Sequence, residues 1–318
     1  MCFIIVLLSL LVTGFAGFAV PVAVPVMQDA GAVPLPVTDV AYGDGANNLL
    51  NVYLPDGPGP FPVVLLFHGT DVSKDYFAGT LTTDDLIANG YAAVSADYRV
   101  PTPADPFGAI NDAACALAWI YASGDTYPFD TRHVVVLGHS RGAAMAALLG
   151  VRDDLTPLLD GCAYTLPSAN PVTAVVTYGG NYASQEVSFT DPMFMEALRR
   201  MAGMSDEQMQ ALLAALAAVP PADWRSSPQL PEAVRQFAAF LPLAWLDGSE
   251  PPFLVVHGEI DEFAPAAEAR VFAQALEAVG VPVTLAVLPG QYHRINQEAL
   301  HGPLLAFLDQ VINAWPEP

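Results

Sequence analysis

Three side chains able to activate a hydroxyl occur in the order Ser140, Asp261, His293. Ser140 stands in Gly138-His139-Ser140-Arg141-Gly142, directly after the apolar run Val134-Val135-Val136-Leu137 and directly before the small residues Ala143-Ala144. A strand entering a Gly-x-Ser-x-Gly corner and leaving as a helix makes the serine protrude, with backbone N–H groups at the helix start facing any negative oxygen that develops nearby. Gly138 and Gly142 allow the close approach of strand and helix that side chains would block. Serine is a weak nucleophile until a base takes its proton. Of the six histidines, His68 and His257 end strands and precede glycines, His133 begins a strand at the opposite edge, His139 points away from its neighbour Ser140, and His301 sits on the solvent side of the final helix. His293, in the loop after the last strand, is the candidate base. A base needs an acceptor that fixes its tautomer and stabilises the imidazolium. Gly258-Glu259-Ile260-Asp261-Glu262 supplies three carboxylates. Asp261, three residues past the turn glycine, can lean towards His293, whereas Glu259 is nearer the strand and Glu262 points outward.

Such a constellation needs a scaffold that brings distant segments to one edge. Strand patterns cover Val37–Tyr42, Leu49–Leu54, Pro62–Phe67, Ala92–Tyr98, His133–Gly138, Thr173–Tyr178, Phe253–His257 and Val283–Leu288. The first two flank the turn cluster Gly43–Asn47 and read as a hairpin. The later runs are almost continuously apolar, as expected of parallel strands covered on both faces. Helical patterns alternate with them at about Asp84–Asn89, Gly108–Ser123, Gly142–Gly150, Ala266–Val279 and Ile295–Trp315. The alternation predicts a doubly wound α/β sheet. Residues 181–251 break the rhythm with helix signals alone: Asp191-Pro192, a capping box from Ser205 to Gln208, a stop at Pro220-Pro221 and a start at Pro231. Met193, Met195, Met201, Met204 and Met209 lie in this insertion. They suit either an adaptable lid or ordinary helix packing.

The chain has 318 residues, 53% hydrophobic and 14% charged, with 33 acidic residues against 11 basic ones. A formal charge of −22 opposes nucleic-acid binding. Lys74 is the only lysine, and no basic cluster exists to hold an anionic membrane. Residues 1–27 carry no charge; the apolar run Phe3–Val12 followed by small residues through Ala19 reads as a secretory signal cleaved after Ala19. The positive segment that usually opens such a signal is missing, which points to a misplaced start codon. A retained anchor is the competing reading, opposed by Pro21 and Pro25. Export to a secreted or periplasmic location, with no stable membrane span after cleavage, is the expectation. The mature part, residues 35–318, then holds a single domain and two cysteines, Cys115 and Cys162, which either pair in an oxidising compartment or remain two buried thiols.

Phe67-His68-Gly69-Thr70-Asp71 follows the third strand. Together with the Gly138–Gly142 elbow and the Gly258–Asp261 and Gly290–His293 segments, it makes the chain resemble the esterase/lipase branch of the α/β-hydrolase superfamily, from about Val37 to Ala314. Asn51-Val52-Tyr53-Leu54-Pro55 is similar to the opening of carboxylesterases and prolyl-oligopeptidase-like catalytic domains. The resemblance implies an eight-stranded, mostly parallel sheet with helices on both faces and a helical cap between strands six and seven. It implies a Ser140–Asp261–His293 triad, a loop shaped by His68 and Gly69, and an oxyanion hole from the backbone N–H groups of Arg141 and Thr70, or of Asp71 instead of Thr70. It implies no cofactor and no metal. Thr70-Asp71 stand where the glycine-rich esterases carry two more glycines. The expected reaction is hydrolysis of a small-molecule or polymeric carboxylic ester through an acyl-enzyme. Peptide or amide cleavage is the alternative, and a non-catalytic binding module is a third reading. Oligomeric state is not legible in the sequence.

Overall fold

The apolar runs lie side by side, as strands buried on both faces must. In the computed structural model, which describes residues 36–70, 72–100, 105, 107–182, 199, 203–294 and 296–313, eight strands form one sheet. They are β1 (Val37–Ala41), β2 (Leu49–Tyr53), β3 (Phe61–Phe67), β4 (Ala92–Ala96), β5 (Phe129–His139), β6 (Ala174–Tyr178), β7 (Phe253–Gly258) and β8 (Val283–Leu288). Their spatial order is β1-β2-β4-β3-β5-β6-β7-β8. β2 pairs antiparallel with both β1 and β4, and every other pairing is parallel. This is the mixed sheet that the sequence pattern and the resemblance imply.

Alternation along β3 divides the core into two layers. Val63, Leu65 and Phe67 face one side, where α2 (Gly108–Ala122), α3 (Arg141–Val151) and α6 (Ala266–Ala278) bury Ile110, Leu117, Leu149, Phe272 and Leu276. Val64 and Leu66 face the other, against Leu86 of α1 (Leu81–Ala88) and Leu304 and Leu308 of α7 (Gln297–Asn313). Covering both faces removes the inner strands from water and leaves function to the loops at their ends.

Two strand ends differ from the sequence expectation by more than one residue. β5 begins at Phe129, four residues before His133, because Phe129 and Asp130 pair with Phe61 and Pro62 before the register shifts. Asp130 is kept at this edge by Arg132 and His133. β4 ends at Ala96 rather than Tyr98, since Asp97 and Tyr98 turn aside to hold neighbouring segments. Lys74 is held there: its backbone N–H donates to Asp97, and its ammonium, only 8% exposed, pairs with Asp39 at 2.9 Å and Asp75 at 3.6 Å.

The insertion contains α4 (Asp206–Ala217) and α5 (Glu232–Ala238). The capping box from Ser205 to Gln208 is present. A small separate core gathers around the fully buried Trp224, with Met209, Leu212, Leu216 and Val234. The indole N–H of Trp224 donates to the carbonyls of Leu216 and Val219. Met209 is thus a packing residue, whereas Met193, Met195, Met201 and the Asp191-Pro192 signal lie outside the described residues, as does the signal-like segment 1–27. Among the described residues no helix is long and apolar enough to cross a membrane.

Cys115 of α2 and Cys162, in the segment after α3, form a disulfide across 47 positions of sequence. Closing a loop of that length removes roughly 4 kcal/mol of denatured-state entropy in the chain-entropy treatment. Replacing both cysteines by alanine is expected to lower the unfolding free energy by about 2–4 kcal/mol, read from denaturant titration; an unchanged midpoint would contradict that role.

Candidate active site

The corner between β5 and α3 has no room for ordinary side chains at its two glycines. A Cβ on Gly138 would stand 2.0 Å from the Gly142 carbonyl oxygen, and one on Gly142 would stand 2.1 Å from the Phe67 carbonyl oxygen. Between them Ser140 takes φ 56° and ψ −118°, a conformation that L-residues adopt at a cost. The Ser140 N–H donates to the Tyr178 carbonyl at 3.0 Å, which ties the corner to β6. Arg141 opens α3, so its N–H is among those with no partner inside the helix. The strain and the close packing push the Ser140 hydroxyl out at the carboxyl ends of the strands.

Two loops from the same edge reach it. Ser140 Oγ and His293 Nε2 are 2.9 Å apart. His293 Nδ1 lies 2.8 Å from Asp261 Oδ2. A carboxylate only accepts, so Nδ1 carries the hydrogen and Nε2 is left to accept from the serine hydroxyl. Asp261 is fully enclosed as a side chain. Burial alone would raise its carboxyl, but hydrogen bonds from His257, His293 and the N–H groups of Ala264 and Phe263 outweigh this and hold it well below the usual carboxylate range. His257, expected only to end β7, has its Nε2 3.2 Å from Asp261 Oδ2 and 2.7 Å from the Ala264 carbonyl. Asp261 thus stays an anion, oriented from both sides.

The other two carboxylates of the segment also serve the histidine loop. Glu259 accepts from the Gly290 N–H at 3.0 Å, and Glu262 accepts from the His293 N–H at 3.1 Å. Glu262 therefore turns towards the loop instead of pointing outward, because the backbone N–H there needs an acceptor and no strand supplies one. The spacing of the three carboxylates was the available signal for this, and the one that meets the ring is Asp261, as the sequence reading expects.

His68 and Gly69 lie beside the corner: a Cβ on Gly69 would be 3.1 Å from that of Ser140. His68 is held by its neighbours, with Nδ1 2.8 Å from the Gly69 carbonyl, Nε2 3.1 Å from Asp97 and its ring stacked on Tyr98. The Tyr98 hydroxyl donates to the His68 carbonyl at 2.6 Å. Thr70, the residue after Gly69, is exposed, while Asp71 lies outside the described residues. His133 bonds Asp130 and His301 bonds Asp85, both away from Ser140.

The sequence model of the BD-FAE family matches residues 50–276, more than half of the chain. The chain belongs to that family. Within this BD-FAE member, Ser140 and Asp261 fall inside the matched span and His293 follows it. Among characterised proteins, the chain is similar to esterase LipC of Mycobacterium tuberculosis, at 29% identity over 86% of this chain and 64% of the relative. It is also similar to esterase LipQ of the same organism, at 28% identity over 82% of this chain and 58% of the relative. It therefore spans about six-tenths of the length of these relatives. A truncated carbohydrate esterase from gut microbiota superposes with a TM-score of 0.68 at 17% identity, over 88% of this chain and 97% of the other. That likeness establishes the α/β-hydrolase fold.

Because the Asp261 carboxyl is held below its unfolded value of about 3.9, it stabilises the fold above that pH, and the contribution is lost as pH falls below it. The thermal midpoint of the wild type is expected to drop between about pH 5 and pH 2 more steeply than that of Asp261→Asn. Parallel curves from scanning calorimetry of the two proteins would refute this.

Proposed function

We propose that the chain is a carboxylic-ester hydrolase working through an acyl-enzyme on Ser140. The observation that carries the reading is the pair of contacts at 2.9 and 2.8 Å linking Ser140, His293 and Asp261 at the carboxyl ends of the strands. His293 takes the hydroxyl proton as Ser140 attacks the ester carbonyl, and the same proton passes to the departing alcohol. Asp261 keeps the imidazole in the tautomer that accepts from serine and offsets the charge that forms on it. The developing oxyanion is met by the N–H of Arg141 at the start of α3, with Thr70 on the facing loop as second donor. Water then enters by the same base and releases the acid. Ester hydrolysis is also the activity in the names of the relatives, and the substrate is a small-molecule or polymeric ester. We propose in addition that the protein acts outside the cytoplasm, supported by the disulfide between Cys115 and Cys162.

Ser140→Ala is expected to lower kcat/KM for p-nitrophenyl butyrate by about 10⁴-fold or more and to abolish labelling by a fluorophosphonate probe. Retention of either at the wild-type level would end the reading. Aminoacyl anilides tested beside acyl esters would separate ester from amide cleavage, with faster turnover of the esters expected.

A further inference from the structure

His293 offers four polar groups, and each has one partner. Its ring meets Ser140 Oγ and Asp261 Oδ2, its N–H donates to Glu262 Oε2 at 3.1 Å, and its carbonyl lies 3.1 Å from His139 Nε2. The last contact closes a ring through the chain: His139 precedes Ser140, its imidazole reaches the His293 backbone, and the His293 imidazole returns to Ser140. The histidine loop cannot slide along the corner without breaking a link of that ring.

The surroundings of His139 favour this function over simple filling. Its imidazole lies between Tyr76, at 5.2 Å and 6° between planes, and Tyr178, at 4.5 Å and 21°. Its Nδ1 is buried without a hydrogen-bond partner. A phenyl ring would fill the same aromatic slot and avoid burying an unpaired nitrogen. What a phenyl ring lacks is the donor: a carbonyl only accepts, so His139 Nε2 carries its hydrogen towards His293. Burial, reinforced by the nearby charge of His293, pushes the His139 imidazole down to about 4, so it stays neutral and places no cation beside the imidazolium that forms during catalysis. Close approach is also built in on the acid side, where a Cβ on Gly258 would stand 2.4 Å from the carbonyl oxygens of Gln291 and Tyr292.

We infer that His139 and Glu262 are positioning residues that clamp the backbone of His293 at its carbonyl and its N–H, and so hold its imidazole at proton-transfer distance from Ser140. The inference rests on the triad reading above. It predicts a defect in turnover rather than in substrate capture, since both residues act through the backbone of His293.

The test measures kcat and KM for p-nitrophenyl butyrate alongside thermal unfolding. His139→Phe keeps the aromatic stack and removes the donor; kcat is expected to fall about 10–100-fold, with KM within about two-fold and no loss of thermal midpoint. His139→Gln places an amide N–H near the position of Nε2 and should recover most of the lost turnover. Glu262, on an exposed segment, gives a second reading free of folding risk: Glu262→Ala is expected to lower kcat several-fold, and Glu262→Gln, which keeps an acceptor, to restore it. The clamp is overturned if His139→Phe turns over within two-fold of wild type, if His139→Gln is no better than His139→Phe, or if Glu262→Ala is indistinguishable from wild type. Ser140→Ala in the same assay keeps the two proposals apart: if it stays active the triad fails, and if it is dead while His139→Phe is fully active only the clamp fails.

Discussion

The contact on which the site depends is the one between α3 and the sheet at Gly138 and Gly142, where backbone meets backbone with no side chain between. That approach forces the intervening residue into a positive-φ conformation and lifts its side chain clear of the sheet. With Ser140 N–H bonded to β6 and Arg141 opening α3, the corner cannot relax without pulling on the centre of the sheet. The two apolar layers on either side of β3 and β5 are what resist that pull. A strained serine persists because many buried residues over-determine its place.

Around that fixed point the loops are joined by polar contacts rather than by apolar packing. Asp97 and Tyr98 at the end of β4 hold His68, and the carboxylates after β7 hold the loop after β8. An anion enclosed like Asp261 is tolerable only because four donors surround it. The same donors keep it from taking up a proton, so the contacts that make its burial tolerable also keep an anion beside the His293 ring. The strongly acidic composition has a use here: three carboxylates in four residues arrange one loop.

That Ser140, Asp261 and His293 come together at one edge of the sheet was legible because each sits on a motif whose spacing follows from where strands end, and the strand pattern itself came from runs of apolar residues. The hairpin, the parallel core and the capped helix after Ser205 followed from local chemistry in the same way. What escaped the sequence depends on side-chain direction at the end of a strand. Nothing local tells that Tyr98 turns to a carbonyl, that Glu262 faces inward, or that His139 points away from its neighbour only to meet the backbone of a residue 154 positions later. The start of β5 at Phe129 escaped for a related reason, since its first residues are defined by a partner strand and not by their own pattern.

The chain's one lysine is spent inside the structure. Lys74 lies under β1 and the end of β4, with its ammonium between Asp39 and Asp75. Amine-directed chemistry, whether a succinimidyl dye, an aldehyde-activated resin or slow glycation, therefore finds no accessible side-chain amine on this protein. Carboxylates are the abundant alternative for attachment, and the exposed Glu259 and Glu262, which hold the histidine loop, are among the groups that such coupling would consume.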